Sequence, residues 1–151
     1  MTRHPAGFAV IVSIPVLWGD QDALGHVNNT VPIRWFESSR VAYIEQSGMH
    51  EMLTGLSLGP ILASTTCHYR KQLFYPDTIH VGARVSKVGR SSMIVEHQVY
   101  SDSLQAVAAD GESVIVVFDY ASQRPVRIPE KVRQAIANID GPEVAGIRRH
   151  E

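Results

Sequence analysis

Asp20-Gln21-Asp22-Ala23-Leu24-Gly25-His26-Val27-Asn28-Asn29 places two carboxylates, a glycine turn, an imidazole and two asparagines in one short stretch. An alternating apolar segment precedes it and a helical pattern follows. A carboxylate held beside the free N–H groups of a helix N-terminus suits hydrolysis of an activated carbonyl. The carboxylate attacks or activates water, and the N–H groups meet the oxyanion. On spacing alone Asp22 either caps a turn or a helix, the commonest role of a loop Asp, or takes the chemical step. Asp20 reads as the structural partner, accepting local backbone N–H bonds. Asn28 or Asn29 reads as the helix N-cap.

The elements that must hold these groups follow from periodicity. Residues 8–18 read as a strand, with Val10, Val12, Ile14, Val16 and Trp18 on one face and Pro15 marking an edge or bulge. Residues 28–48 turn helical, with Pro32 tolerable in the first turn and Gly48 as the stop. Trp35, Ser38, Ser39, Ala42 and Gln46 form a small-residue stripe, and Phe36, Arg40 and Tyr43 form another. Such a helix suits enclosure by a curved sheet. Residues 49–59 read as a loop with one short turn. Residues 60–72, 78–88, 93–100 and 106–120 read as strands joined by turns, and Asp110-Gly111 as a bulge. Arg124-Pro125-Val126-Arg127-Ile128-Pro129 is an extended link, with Pro129 at N1 of a final helix reaching about Asn138. The last dozen residues are expected to fray. The pattern β-α-β-β-β-β-α predicts one α+β domain over 1–151, with a core from about 8 to 138.

Bulk properties narrow the function. The 151 residues are 44% hydrophobic and 19% charged, ordinary for a globular chain. A formal net charge of -1 gives no global field for nucleic acid or an anionic membrane. No apolar run is long enough to span a bilayer. The N-terminal stretch lacks a small-residue cleavage site, so a cytoplasmic protein is expected. The single Cys67 excludes an internal disulfide, and the seven histidines form no H-x-H or H-x-x-x-H pair, so no metal site is expected. Ser64, Ser91 and Ser92 stand in no G-x-S-x-G elbow, which argues against a serine triad.

Taken together, Asp20 to Asn29, Arg34-Trp35-Phe36-Glu37 with Arg40, Tyr69-Arg70, Tyr75-Pro76-Asp77, Gly89-Arg90-Ser91-Ser92 and Arg124 to Pro129 resemble one known family. The chain resembles the hotdog-fold acyl-CoA thioesterases of the 4-hydroxybenzoyl-CoA thioesterase-like superfamily, in the branch carrying D-x-D-x-x-G-H-V-N-N. The likeness covers roughly residues 8–135. It implies a five-stranded antiparallel sheet wrapped around one long helix, plus a short C-terminal helix. It also implies a homodimer with sheets joined edge to edge, pairs of dimers forming tetramers, and active sites at the subunit interface. Two departures stand out: Pro32 replaces an aromatic residue, and Pro76-Asp77 replaces a Gly-Asp pair.

By this resemblance Asp22 matches the catalytic carboxylate and the Asn29 N–H the oxyanion donor. His26 matches a residue that shapes or polarises the site. Arg70, Lys71, Lys87, Arg90, Arg124 and Arg127 become candidates for the CoA phosphates, with Arg90 and Ser91 preferred. CoA is part of the substrate, and no separate cofactor is implied. Glu37 is the reserve base, although an ion pair with Arg34 or Arg40 is its ordinary role. Cys67 reads as a small buried residue. Trp35, Phe36, Leu53, Leu56, Leu58 and Ile61 line either an acyl pocket or the core. The implied activity is hydrolysis of an acyl-CoA thioester. Hydrolysis of acyl carrier protein thioesters and non-catalytic acyl-CoA binding are the alternatives.

Overall fold

The computed structural model describes residues 3–147. Strand β1 (Val10–Pro15) ends where Pro15 removes a ladder N–H, and the chain turns through a single 3-10 turn, Trp18–Asp20. Helix α1 (Val31–Ser47) and the short α2 (Met49–Thr54) come next. Strands β2 (Leu58–Tyr69), β3 (Thr78–Val88), β4 (Ser92–Ser101) and β5 (Ala106–Asp119) follow, then the two-residue β6 (Arg124–Pro125) and α3 (Glu130–Asp140). The antiparallel sheet runs β1-β3-β4-β5-β2, with β6 added to β5 as a sixth strand. β2 occupies one side of β5 as far as Asp119, so β6 pairs on the side that β4 has left. This is the α+β hotdog architecture, a curled sheet around α1.

Alternation sets the faces of the sheet. Ile79, Val81, Ala83 and Val85 of β3 and Met93, Val95, His97 and Val99 of β4 are buried against the helices. α1 answers with Trp35, Phe36, Ser39 and Tyr43, drawn from both predicted stripes, while Gln46 stays exposed. The helix lies close because Ser39 is small and Gly111 of β5 has no side chain. A Cβ on Gly111 would stand 2.8 Å from the Phe36 ring and 1.9 Å from the Thr66 carbonyl oxygen. Gly48 ends α1 in the left-handed region at φ 76°.

Several expectations are corrected. Trp18 does not share the buried face of β1; it is 74% exposed, because the strand ends at Pro15. Residues 49–54 form α2 rather than a loop, held by Met49 and Leu53, which are fully buried one helical turn apart. The bulge in β5 falls at Ala108, skipped between the pairs Val99–Ala109 and Tyr100–Val107, and Asp110 and Gly111 stay in register. Pro129 is the N-cap of α3 rather than its first helical residue. The C-terminal stretch expected to fray is packed through Ile147: Ala145 is buried, and its carbonyl accepts from Arg133 Nη1 at 3.3 Å. Residues 148–151 lie outside the described residues.

Two apolar clusters fill the interior. One joins Val16, Val27, Trp35, Phe36, Leu73 and Ile79 beneath the Asp22 loop. The other joins Tyr43, Leu53, Met93, Ile115 and Ile136 around α2 and α3. Asp140 ties α3 to the second, accepting from the Tyr43 hydroxyl at 2.6 Å and the Val85 N–H at 2.8 Å. Among the described residues no helix is long and apolar enough to cross a membrane.

Candidate active site

The Asp22 loop is a closed turn. The Asp22 N–H donates to the His26 carbonyl at 3.0 Å, the Gly25 N–H returns to the Asp22 carbonyl at 3.1 Å, and Gln21 bridges to Val27. Gly25 takes φ +86°, which only glycine adopts without strain. The Asp20 carboxylate accepts from the Leu17 N–H at 2.8 Å, and the Asp20 carbonyl accepts from the Asn28 N–H at 2.9 Å. Asp20 is therefore the structural carboxylate of the pair.

Asp22 divides its two oxygens. Oδ1 accepts from the Leu24 N–H at 2.9 Å. Oδ2 lies 4.0 Å from His26 Nδ1, with both side chains about one-quarter exposed. The Leu24 bond orients the carboxylate, and among the described residues Oδ2 makes no hydrogen bond. His26 Nδ1 also stands 3.3 Å from the Val27 carbonyl, which holds the ring over the loop.

Helix α1 starts later than predicted. Asn28 caps the entry from outside the helix: its Oδ1 accepts from the Thr30 N–H at 2.9 Å and the Thr30 hydroxyl at 2.7 Å. The Asn28 carbonyl accepts from the Val31 N–H at 3.0 Å. Pro32 has no N–H. Among the described residues nothing accepts from the Asn29 N–H. It is left as a free donor at the head of the helix, where the macrodipole adds positive potential. The Asn29 carbonyl is taken by the Tyr69 hydroxyl, reaching over from the end of β2.

These groups share one cavity of about 410 Å³, lined by Asp22, His26 and Asn29. Its apolar wall comes from Leu24, Val27, Pro32, Leu73, Ala108 and Ala109. Trp35, Phe36 and Leu53 are core instead, and Leu56 is exposed at the surface. Sequence reasoning missed the role of Tyr69 and the alanines. The bulge brings Ala108 to the wall, where its carbonyl accepts from the N–H groups of both Arg70 and Lys71. Alternation alone does not reveal such a register shift.

The basic candidates separate. Arg70 lines the cavity, but its guanidinium is engaged by Asp110 at 2.9 and 3.2 Å, and these bonds hold its pKa above the ordinary value. Lys71 lines the same cavity and has no ion-pair partner among the described residues. Arg90 and Ser91 stand at the other end of the sheet, where the Ser91 carbonyl accepts from the Val117 N–H. Val117 lies eight residues along β5 from Ala109, roughly 25 Å at ~3.3 Å per residue. One chain does not bring them to the cavity. Glu37 is 66% exposed and 4.0 Å from Arg40, away from Asp22's cavity. Burial pushes the Cys67 thiol up, which disfavours the thiolate.

Comparison with known proteins agrees with the fold. The Thioesterase-like superfamily model matches residues 16–136. A thioesterase from Thermus thermophilus, solved with coenzyme A and zinc, is 32% identical; the match covers 89% of this chain and 96% of that one, at a TM-score of 0.78. The DHNA-CoA thioesterase of Staphylococcus aureus shares the fold at 18% identity, covering 92% and 95% of the two chains at a TM-score of 0.77. The uncharacterised Bacillus subtilis protein YsmA is 27% identical over 90 residues, 60% of each chain. The chain belongs to the Thioesterase-like superfamily and, with it, to the thioester hydrolases.

Proposed function

We propose that this protein hydrolyses an acyl-CoA thioester to the free acid and CoA, with Asp22 as nucleophile or general base. The observation that carries this reading is one cavity shared by a carboxylate with a free oxygen and a helix-head N–H without an acceptor among the described residues. The thioester carbonyl oxygen accepts from the Asn29 N–H, and the dipole of α1 supports the developing charge. In the nucleophilic route an Asp22 oxygen bonds to the carbonyl carbon, the C–S bond breaks, and CoA thiolate leaves. Water then opens the mixed anhydride. In the general-base route Asp22 takes a proton from the attacking water. His26 shapes the mouth of the site and stands close enough to polarise the thioester or Asp22. Lys71, with Arg70 beside it, offers positive charge to CoA phosphates.

A second copy of the chain is part of this reading. Among the described residues β2 has β5 on one side only, and Leu62 to Thr66 along it are exposed. An unpaired edge of this length invites another strand. A partner would also bring a second set of Arg90 and Ser91, which are remote from the cavity of their own chain.

The test is thiol release from a panel of aliphatic and aromatic acyl-CoAs. Asp22→Asn, folded as judged by circular dichroism, should lose at least ~10²-fold in kcat. Full activity in that variant would remove Asp22 from the chemistry and turn attention to Glu37. Binding of acyl-CoA without thiol release from any member would favour a binding protein.

A further inference from the structure

The outer face of the sheet, turned away from α1, carries a second group of reactive side chains. Ser13 of β1 and His80 of β3 are direct register partners. Ser13 Oγ lies 2.6 Å from His80 Nδ1, and His80 Nε2 lies 2.9 Å from Asp102 Oδ1. Asp102 is fixed just past β4, its N–H donating to the Thr78 carbonyl at 3.0 Å. A carboxylate only accepts, so it selects the imidazole tautomer with hydrogen on Nε2. The Nδ1 lone pair then faces the Ser13 hydroxyl, the arrangement of a general base on a nucleophile. These residues border a cavity of about 310 Å³ that Arg3 also lines, supplying a cation. One wall is aromatic: His4 stacks on Tyr100 with ring centroids 4.3 Å apart. None of these residues lines the Asp22 cavity.

We propose that Ser13, His80 and Asp102 form a second, serine-based esterolytic centre for small activated esters with an aromatic or short acyl part. The chemistry follows the usual roles of such a constellation. Ser13 Oγ bonds to the ester carbonyl carbon as its proton passes to His80 Nδ1, and Arg3 offsets charge on the carbonyl oxygen. The carbon–oxygen bond to the leaving group breaks, and that group takes the proton from His80. Water, deprotonated by His80, then releases the acid, and Ser13 regains its hydrogen. The missing G-x-S-x-G elbow, which argues against a serine triad of the strand-turn-helix kind, does not bear on this group. Here two paired strands and a loop bring the three residues together.

The experiment is labelling of the full chain with a fluorophosphonate probe, read by intact mass and peptide mapping. Ser13 Oγ bonds to phosphorus, fluoride leaves, and His80 takes the proton. One adduct is expected, mapped to Ser13, formed equally in wild type and in Asp22→Asn. It should disappear in Ser13→Ala and slow at least ~10²-fold in His80→Gln. Asp102→Asn, a milder surface change, should slow it as well. The Asp22→Asn protein should release p-nitrophenol from p-nitrophenyl acetate, and Ser13→Ala should keep wild-type thioester hydrolysis while losing this activity. No adduct at Ser13, or one formed at the wild-type rate in both His80→Gln and Asp102→Asn, overturns the proposal. Thiol release and phosphonylation are read separately, so either site can fail without the other.

Discussion

Tyr69 shows how one side chain can hold a candidate site from a distant strand. Asn29 lies just ahead of α1, and its carbonyl accepts from the Tyr69 hydroxyl. Asn29, the proposed oxyanion donor, is thereby tied to the end of β2. Tyr69 is thus a positioning residue. Removing its hydroxyl in Tyr69→Phe should lower kcat by roughly tenfold, about one ordinary hydrogen bond, with little change in KM or melting temperature. A kcat within twofold of wild type would show that Asn29 holds its place unaided. Single residues are also where the sequence is most legible. Type and spacing single out the Asp20–Asn29 stretch, its resemblance to the family motif picks out Asp22, His26 and Asn29, and the fold gathers them at one cavity. Tyr69 stands in a sequence motif without a visible role, because forty residues separate it from Asn29.

Between elements, the telling feature is a polar seam through the sheet-to-helix contact. His97 of β4 stacks on Phe36 of α1 at 4.7 Å, with Nδ1 2.9 Å from Ser39 Oγ and Nε2 2.9 Å from Ser113 Oγ. Ser113 Oγ also accepts from Arg40 Nη1 at 3.0 Å. Burial, then the Arg40 charge, push the His97 pKa down from 6.5 to about 3, against a smaller opposing contribution from a hydrogen bond to the Gly82 backbone. Folded His97 therefore stays neutral over a range where the unfolded chain would protonate it. Protonation favours the unfolded state, so stability falls as pH drops from about 6.5 toward about 3. The slope approaches ~1.4 kcal/mol per pH unit. Urea unfolding at pH 7.5 and pH 5.0 should show up to ~2 kcal/mol more acid loss in wild type than in His97→Gln. Equal losses in the two proteins would mean that other groups carry the acid sensitivity. Alternation puts His97 on the same face as Met93 and Val95, but only the packed helix and the neighbouring strand supply the two serines and the arginine.

For the molecule as a whole, the Asp22 cavity and the basic turn at Arg90 stand apart, and among the described residues β2 is paired on one side only. If two copies pair along β2, sedimentation velocity should show a dimer or a pair of dimers across the concentrations used for assay. A monomer with full thioesterase activity would separate catalysis from assembly and leave Lys71 and Arg70 as the phosphate contacts. Leu17, Trp18, Leu24, Phe74 and Tyr75 are exposed on segments joined through the Val16–Asp77 and Val27–Leu73 backbone bonds, and Leu24 lines the cavity.

Residue type and period are enough for the order of strands and main helix, the inward alternation of β3, the stop at Gly48 and the stretch that carries the candidate carboxylate, while the choice of Asp22 within it came from the family resemblance. Those features are local: they depend on short-range capping and patterning, which act the same way wherever the chain is placed. Contacts between distant segments settled the rest. They fixed where β1 ends, the Ala108 bulge that shapes the cavity wall, the Arg70–Asp110 pair that occupies a candidate phosphate ligand, and the meeting of Ser13, His80 and Asp102. Each depends on register between segments far apart in the chain. Register is set by the sum of packing across the whole sheet, and a shift of one residue turns every following side chain to the other face.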